Sequence, residues 1–314
     1  MRDTFARVLN EVAMNDNRVV VLAADISPVG KMHEFVAEHP DRFINVGVAE
    51  QSMIGIAAGL AITGKIPFCY TIATFALYRP FEFIRNDLGY QNLPVTIVGM
   101  GAGLTYASLG ATHYAQEDVA IASSIPNMEV WAPADPSAVE ETILHIMNRN
   151  APGPVYLRIG KSGEPDLSTT PISDYKDGGF REYQGLANKS PDAILFTYGT
   201  ISVEAIKAAD SLAKNGINLL VVIVGRLKPM NQSIISKYLS LSRLILTFEE
   251  HVPNGGISSI VASNIAINNV AKNFHPITIP DSFEHYYGSH QELLAYHSLT
   301  SARICEIVSS QQSS

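Results

Sequence analysis

Phe43-Ile44-Asn45-Val46-Gly47-Val48-Ala49-Glu50-Gln51 is a short apolar segment closed by one carboxylate, with no basic residue beside it. The residues that follow, Ser52, Gly55, Ala57, Ala58, Gly59 and Ala61, are small and read as a helix that a large neighbour can approach closely. An acid in the first turn of a helix is favoured by the macrodipole and needs no other role. The flanking Val46, Gly47, Val48 and Ala49 point the other way. They predict burial, and a buried carboxylate must be paired or share a proton. A ring nitrogen of matched acidity would serve, so Glu50 reads as a residue that holds one proton of a bound heterocycle.

Outward from this segment, strand and helix signals alternate. Residues 4–15 carry Phe5, Val8, Leu9 and Val12 at helical spacing. Apolar strands are predicted over 19–24, 43–46, 67–71, 95–100, 130–132 and 155–158, with helices over about 50–63, 80–90 and 137–148. Continuous apolar strands between helices imply a mostly parallel sheet covered on both faces. Residues 160–190 are rich in Gly and Pro, and 166–190 read as a linker. A smaller unit follows, with strands over 193–198, 219–224, 244–248 and 276–279 and helices near 202–215, 256–272 and 299–309. The expected fold class is therefore α/β: two three-layer α/β/α domains with mostly parallel sheets, over 1–165 and 191–314.

The whole-chain quantities agree. The 314 residues suit two ordinary domains, and 46% apolar with 17% charged residues argues against disorder. A net charge of -8 disfavours nucleic acid or an anionic membrane as a general partner. Cys69 and Cys305 are far apart and belong to no paired motif, which fits a reducing compartment. The amino terminus has no apolar signal core and no run approaches the length of a membrane span. A cytoplasmic protein is expected.

Other motifs could carry chemistry. Phe75, Tyr78 and Phe81 are three residues apart in Ala73-Thr74-Phe75-Ala76-Leu77-Tyr78-Arg79-Pro80-Phe81. They suit either a core stripe or a stacking box for a flat heterocycle. The run Gly99-Met100-Gly101-Ala102-Gly103 follows a strand, but no helix or acidic partner follows, so a dinucleotide loop is rejected. Thr112-His113 lies in a glycine-flanked loop, open to a functional or a bystander role. Arg158 ends a strand and could clamp an anion or make a surface ion pair. Asp25 stands in a loop at another strand's carboxyl end. Glu249-Glu250-His251 matches no tetrahedral metal spacing, so a capping and subunit-contact role is expected, with no metal site in this chain.

Taken in order, these motifs resemble the carboxyl-terminal half of transketolase over essentially the whole chain. The carrying stretches are 43–51, Ala73-Thr74-Phe75, Thr112-His113 and Trp131-Ala132-Pro133-Ala134-Asp135. The resemblance implies a pyrimidine-binding domain followed by a transketolase C-terminal domain, and thiamine diphosphate as cofactor. It implies that Glu50 bonds N1′ of the aminopyrimidine and so promotes deprotonation of thiazolium C2. Phe75, Tyr78 and Phe81 would wall the pyrimidine. His113, Arg158 and Asp25 would contact the substrate, His113 through its hydroxyls and Arg158 through a phosphate.

Two departures from the family pattern shape the expectation. No Gly-Asp-Gly with a downstream Asn is present to hold magnesium and diphosphate; Asp177-Gly178-Gly179 is not that motif. A separate amino-terminal subunit is therefore expected to carry the Mg2+ and diphosphate, with self-association into an α2β2 assembly and a small-molecule sugar as substrate. Leu109 stands where the family usually has Asp, Gly101-Ala102 replaces a polar pair, and Val29 replaces a phosphate-binding Ser. An unusual donor is thus expected. A subunit acting on a 2-oxo acid, of deoxyxylulose-phosphate-synthase or pyruvate-dehydrogenase β type, is the near rival. A non-catalytic paralogue is a further one.

Overall fold

Val19–Ala23 is buried at all five positions and forms strand β1 of a computed structural model that describes residues 1–26, 28, 30–149, 153–167, 177–187 and 189–312. Alternate residues serve opposite faces: Val19 and Val21 join one apolar cluster, Val20 and Leu22 another. That two-sided burial is why this strand is uniformly apolar. The further strands are β2 (Phe43–Asn45), β3 (Ile66–Ile72), β4 (Thr96–Met100), β5 (Glu129–Trp131), β6 (Val155–Ile159), β7 (Arg181–Gln184), β8 (Ala193–Thr197), β9 (Leu219–Ile223), β10 (Arg226–Lys228), β11 (Leu244–Phe248) and β12 (Asn273–Ile277).

Among the described residues one sheet runs β10-β5-β6-β4-β3-β1-β2 and a second runs β12-β11-β8-β9-β7. All neighbours are parallel except β10 with β5 and β7 with β9. On one face of the first sheet lie the helices Arg2–Asn15 and Pro136–Asn148, packed through Phe5, Leu9, Val139 and Ile143. On the other lies Glu50–Ile62, which buries Met53, Ile54 and Ala57. That core continues into the second half through Phe196, Val222 and Ile245. The helices Ser202–Ala213 and Ser301–Gln312 cover the far side of the second sheet.

The expected mostly parallel two-sheet α/β architecture is present, with corrections at its margins. Arg181–Gln184 lies in the stretch read as a linker but is the antiparallel edge strand β7. Its Arg181 is buried and paired with Asp135, which also caps the helix Pro136–Asn148 by accepting from the Ala138 amide at 2.7 Å. The rest of that stretch includes 168–176 and 188, outside the described residues. Strand β10 leaves the second half of the chain to pair with β5 of the first sheet, so backbone hydrogen bonding joins the two halves. The last strand is Asn273–Ile277, earlier than the expected 276–279. The helix expected over 80–90 is a short turn, Phe81–Phe83, running into π-helical Ile84–Tyr90.

Candidate active site

The turn before Glu50 is organised by Asn45. Its Oδ1 accepts the Gly47 amide at 3.0 Å and the Asp25 amide at 3.3 Å, tying the ends of β2 and β1 together. Gly47 adopts φ +71°, a left-handed conformation that glycine takes without a steric cost. The chain then enters the helix with Glu50 as its first residue, 3% exposed. The carboxylate is not alone. Arg79 donates from Nη1 to Glu50 Oε1 at 3.0 Å, so a basic residue does stand beside Glu50 in space, 29 positions on in sequence. Glu50 Oε2 makes no hydrogen bond among the described residues.

Arg79 also lies 4.5 Å over the Phe75 ring, a cation–π contact. The other face of this group is His113, edge-on to Phe75 with ring centroids 5.1 Å apart. The structure therefore brings Glu50, Phe75 and His113 together through Arg79. Near them the Thr74 hydroxyl is buried and has no hydrogen-bond partner among the described residues. Tyr78 and Phe81, expected to share a wall with Phe75, pack against the main apolar core instead. The Tyr78 hydroxyl donates to Glu117 at 2.9 Å; burial, then the Asp118 and Glu117 charges, push its pKa far up. The physical reason is the break at Pro80: Phe75 belongs to the helix Ala73–Leu77, and Phe81 begins a separate turn.

His113 ends a short 3-10 turn, Ala111–His113, and its ring bonds the Thr112 hydroxyl at 2.9 Å. Partial burial lowers its pKa, so the ring favours the neutral form. Tyr106 lies edge-on to His113 at 6.1 Å and fills the space of the missing Gly101 side chain, where an added Cβ would meet Tyr106 at 2.0 Å. Leu109 is 47% exposed, and Asp25 is exposed at the end of β1 with φ +53°. Val29 lies outside the described residues.

Arg158 is corrected most clearly. It is 6% exposed, donates from Nε to Asp118 at 2.9 Å, and lies 5.3 Å over the Tyr198 ring. Its Nη2 reaches the Glu250 carbonyl at 3.3 Å. It is a largely buried contact between the halves of the chain, not the open anion clamp expected at a strand end. A second exposed cation near His113, besides Arg79, is Lys161, which lies 4.9 Å over Tyr106 and has no carboxylate partner among the described residues. Its only signal in the sequence is its place just beyond the end of β6. Glu249 caps the helix Ile257–Ile267, accepting the Ile257 and Ser258 amides at 2.9 Å each, as a capping role requires.

The residues fit the pyrimidine end of thiamine diphosphate. A buried carboxylate with one free oxygen suits a ring nitrogen that carries a proton, Phe75 offers a flat wall, and His113 stands at its edge. For the diphosphate end, no group of three or more His, Cys, Asp or Glu that could hold a metal occurs among the described residues.

Comparison with known proteins agrees with this geometry. Residues 1–164 match the family model of the transketolase pyrimidine-binding domain, and 185–304 match that of the transketolase C-terminal domain. A Methanocaldococcus jannaschii protein named as a transketolase C-terminal section is 37% identical over 308 residues, 98% of this chain and 94% of that one. An apulose-4-phosphate transketolase subunit of Phocaeicola vulgatus is 30% identical over 97% of this chain and 95% of its own length. A 6-deoxy-6-sulfo-D-fructose transketolase subunit of a Clostridium species is 33% identical over 85% and 81%. A solved split-gene transketolase, described as an inactive β4 tetramer, superposes with a TM-score of 0.83 at 32% identity over 98% of this chain and 96% of that one. Against 1-deoxy-D-xylulose-5-phosphate synthase of Prochlorococcus marinus, 30% identical, the chain spans only 44% of the relative's length. The chain belongs to the transketolase family, as a split-type subunit with the pyrimidine-binding and C-terminal domains. No helix of the described residues is long and apolar enough to cross a membrane.

Proposed function

We propose that this chain is the pyrimidine-binding subunit of a split, thiamine-diphosphate-dependent transketolase that moves a two-carbon ketol unit from a ketose to an aldehyde. The observation that carries the reading is the buried Glu50 carboxylate, with one oxygen free beside the Arg79–Phe75–His113 group. When bound, thiamine diphosphate supplies the thiazolium carbon that carries the transferred unit. Glu50 holds a proton at N1′ of the aminopyrimidine, and Phe75 flanks that ring. Tyr78 and Phe81 back the pocket from the core. His113, favoured in its neutral form, accepts from or donates to a substrate hydroxyl. Asp25 borders the same end of the sheet, where parallel α/β sheets bind ligands.

The far end of the substrate meets Lys161 in this reading, in place of Arg158. Two subunit-length relatives are named for ketoses with an anionic group, a phosphate in one and a sulfonate in the other. An exposed lysine over Tyr106 suits such a group as a point charge. The Mg2+ and diphosphate fall to a separate amino-terminal subunit, in an α2β2 assembly, with this chain divided into a first domain over 1–165 and a second that takes in β7 from Arg181 onward. Magnesium-dependent binding of thiamine diphosphate, measured by calorimetry, tests this division. Binding is expected to be weak for this chain alone and tight once the partner is added. Tight binding by the isolated chain contradicts it.

Leu109 favours one second reading, a donor that is a 2-oxo acid, since an exposed apolar residue replaces the expected acid there. A 2-oxo acid donor releases CO2 and a ketose donor does not, so product analysis separates the two.

A further inference from the structure

The segment that carries His113 is closed at its base and held there by the second half of the chain. Gly103 and Ala115 form a bridge, with the Ala115 amide donating to the Gly103 carbonyl at 3.0 Å. Between them lie Tyr106, Leu109 and His113. The base is gripped on one side by Glu250, 3% exposed, whose Oε2 accepts the Leu104 amide at 2.9 Å. Gly103 makes room for this: with φ +65°, an added Cβ would lie 2.6 Å from Glu250 Oε2. On the other side, the Val252 amide donates to the Gln116 carbonyl at 3.0 Å, and His251 Nε2 accepts the Ala120 amide at 3.3 Å. His290 Nε2 bonds Glu250 Oε2 at 2.9 Å and fixes that carboxylate in turn.

The tip is held as well. The Tyr287 ring sits on Gly110, where an added Cβ would meet it at 2.3 Å, and the Gly110 carbonyl accepts the His113 amide at 2.9 Å. The Tyr114 hydroxyl lies 3.1 Å from the Tyr286 carbonyl. Both ends of one loop thus rest on residues 250–252 and 286–290.

From these contacts we infer that the C-terminal half is the template for the His113 loop, and that Glu250 is a positioning residue for substrate binding. It touches neither cofactor nor substrate. It acts by fixing Leu104 and, through the closed loop, the place of His113. Displacing a group by about 1 Å can cost a hundredfold in rate, so such a support has catalytic reach. The substrate arm of this inference rests on the proposed function; the loop arm does not.

The test compares Glu250→Ala, Glu250→Gln and Tyr287→Ala, each reconstituted with the amino-terminal subunit. Two readouts are taken: steady-state kinetics and hydrogen–deuterium exchange of amides 104–114. Glu250→Ala is expected to raise donor KM about tenfold, leave half-saturation by thiamine diphosphate within about twofold, and speed exchange in the loop. Glu250→Gln keeps an acceptor for the Leu104 amide and is expected to restore donor KM to within about threefold. Tyr287→Ala, at a position 63% exposed, keeps the test open if Glu250→Ala does not fold; it should speed exchange at 109–113 and raise donor KM. Unchanged exchange and unchanged donor KM in the folded variants overturn the inference, as does an equal loss of cofactor half-saturation. If the wild-type pair transfers no ketol unit from any donor, the functional reading fails, and the exchange readout still decides the role of the clamp.

Discussion

The Arg79 guanidinium reaches the Glu50 carboxylate at 3.0 Å while its carbon lies 4.5 Å from the centre of the Phe75 ring. One side chain therefore spans the acid and the aromatic wall. Arg79 is 46% exposed and Glu50 is 4% exposed at the side chain, so solvent screens the cation more than the acid. Arg79→Ala should cost about 1–3 kcal/mol of stability, because it leaves the buried Glu50 carboxylate without its hydrogen-bond partner, with solvent around the half-exposed arginine limiting the loss. Its activity should fall by less than about tenfold, since Glu50, the acid proposed to serve the cofactor, remains. Thermal melts with kinetics on the reconstituted pair check both. A loss as large as that of Glu50 variants would make Arg79 part of the chemistry.

Arg158 and Lys161 should separate stability from substrate binding. Arg158→Met leaves Asp118 buried with only neutral donors, the Tyr156 hydroxyl at 2.8 Å and the Val119 amide at 3.0 Å, among the described residues. Breaking one side of a buried pair costs about 3–5 kcal/mol, so chemical denaturation should show a large loss. Lys161→Ala should leave stability within about 0.5 kcal/mol, as surface changes do. It should raise KM for an anionic donor and leave KM for an uncharged analogue unchanged. The reverse pattern would return the anion to Arg158.

On the proposed function, His113 should set a pH limb. Burial lowers its pKa below 6.5, so its neutral form persists at neutral pH. The profile of kcat/KM should be flat on this account from neutral pH down past 6.5 and then fall. His113→Asn should lower kcat/KM about 10–100-fold and remove that limb. An acid limb that survives in His113→Asn assigns it to another group.

The Glu250–His290 pair should give stability a window in pH. The Glu250 charge raises the His290 pKa above 6.5, with Glu164 adding to it. Burial opposes ionisation of Glu250, but His290, the Leu104 amide and Arg158 outweigh it and lower its pKa below 4.5. The histidine contribution is complete below pH 6.5 and is lost as pH rises through the raised value. The glutamate contribution is complete above pH 4.5 and is lost as pH falls through the lowered value. The Tm difference between wild type and His290→Gln should therefore be largest near pH 5–6.5 and shrink on the alkaline side. A difference that grows with pH would refute the charged pair.

Much of the candidate site is legible in the sequence because the residues proposed for it lie in local patterns. Glu50 follows an apolar strand, Phe75 follows another at its carboxyl end, and His113 sits in a glycine-flanked turn; each can be read without knowing the partner. Tertiary neighbours decide the rest. Arg158 at a strand end suggests an open anion clamp, but Asp118 and Tyr198 close over it, and they lie 40 residues away on opposite sides in sequence. Arg79 escapes a sequence reading since nothing local links it to Glu50. Strands β7 and β10 have four and three residues and pair antiparallel at sheet edges, so their place depends on β9 and β5 and not on their own periodicity.

The central claim is that Glu50 serves the cofactor as its acid. Ketol transfer by the reconstituted pair, saturated with thiamine diphosphate and Mg2+, should be measured for wild type, Glu50→Gln and Glu50→Ala. Both variants should lose about 10²–10⁴-fold in kcat while keeping assembly with the partner. Wild-type-like turnover in either variant would contradict the account.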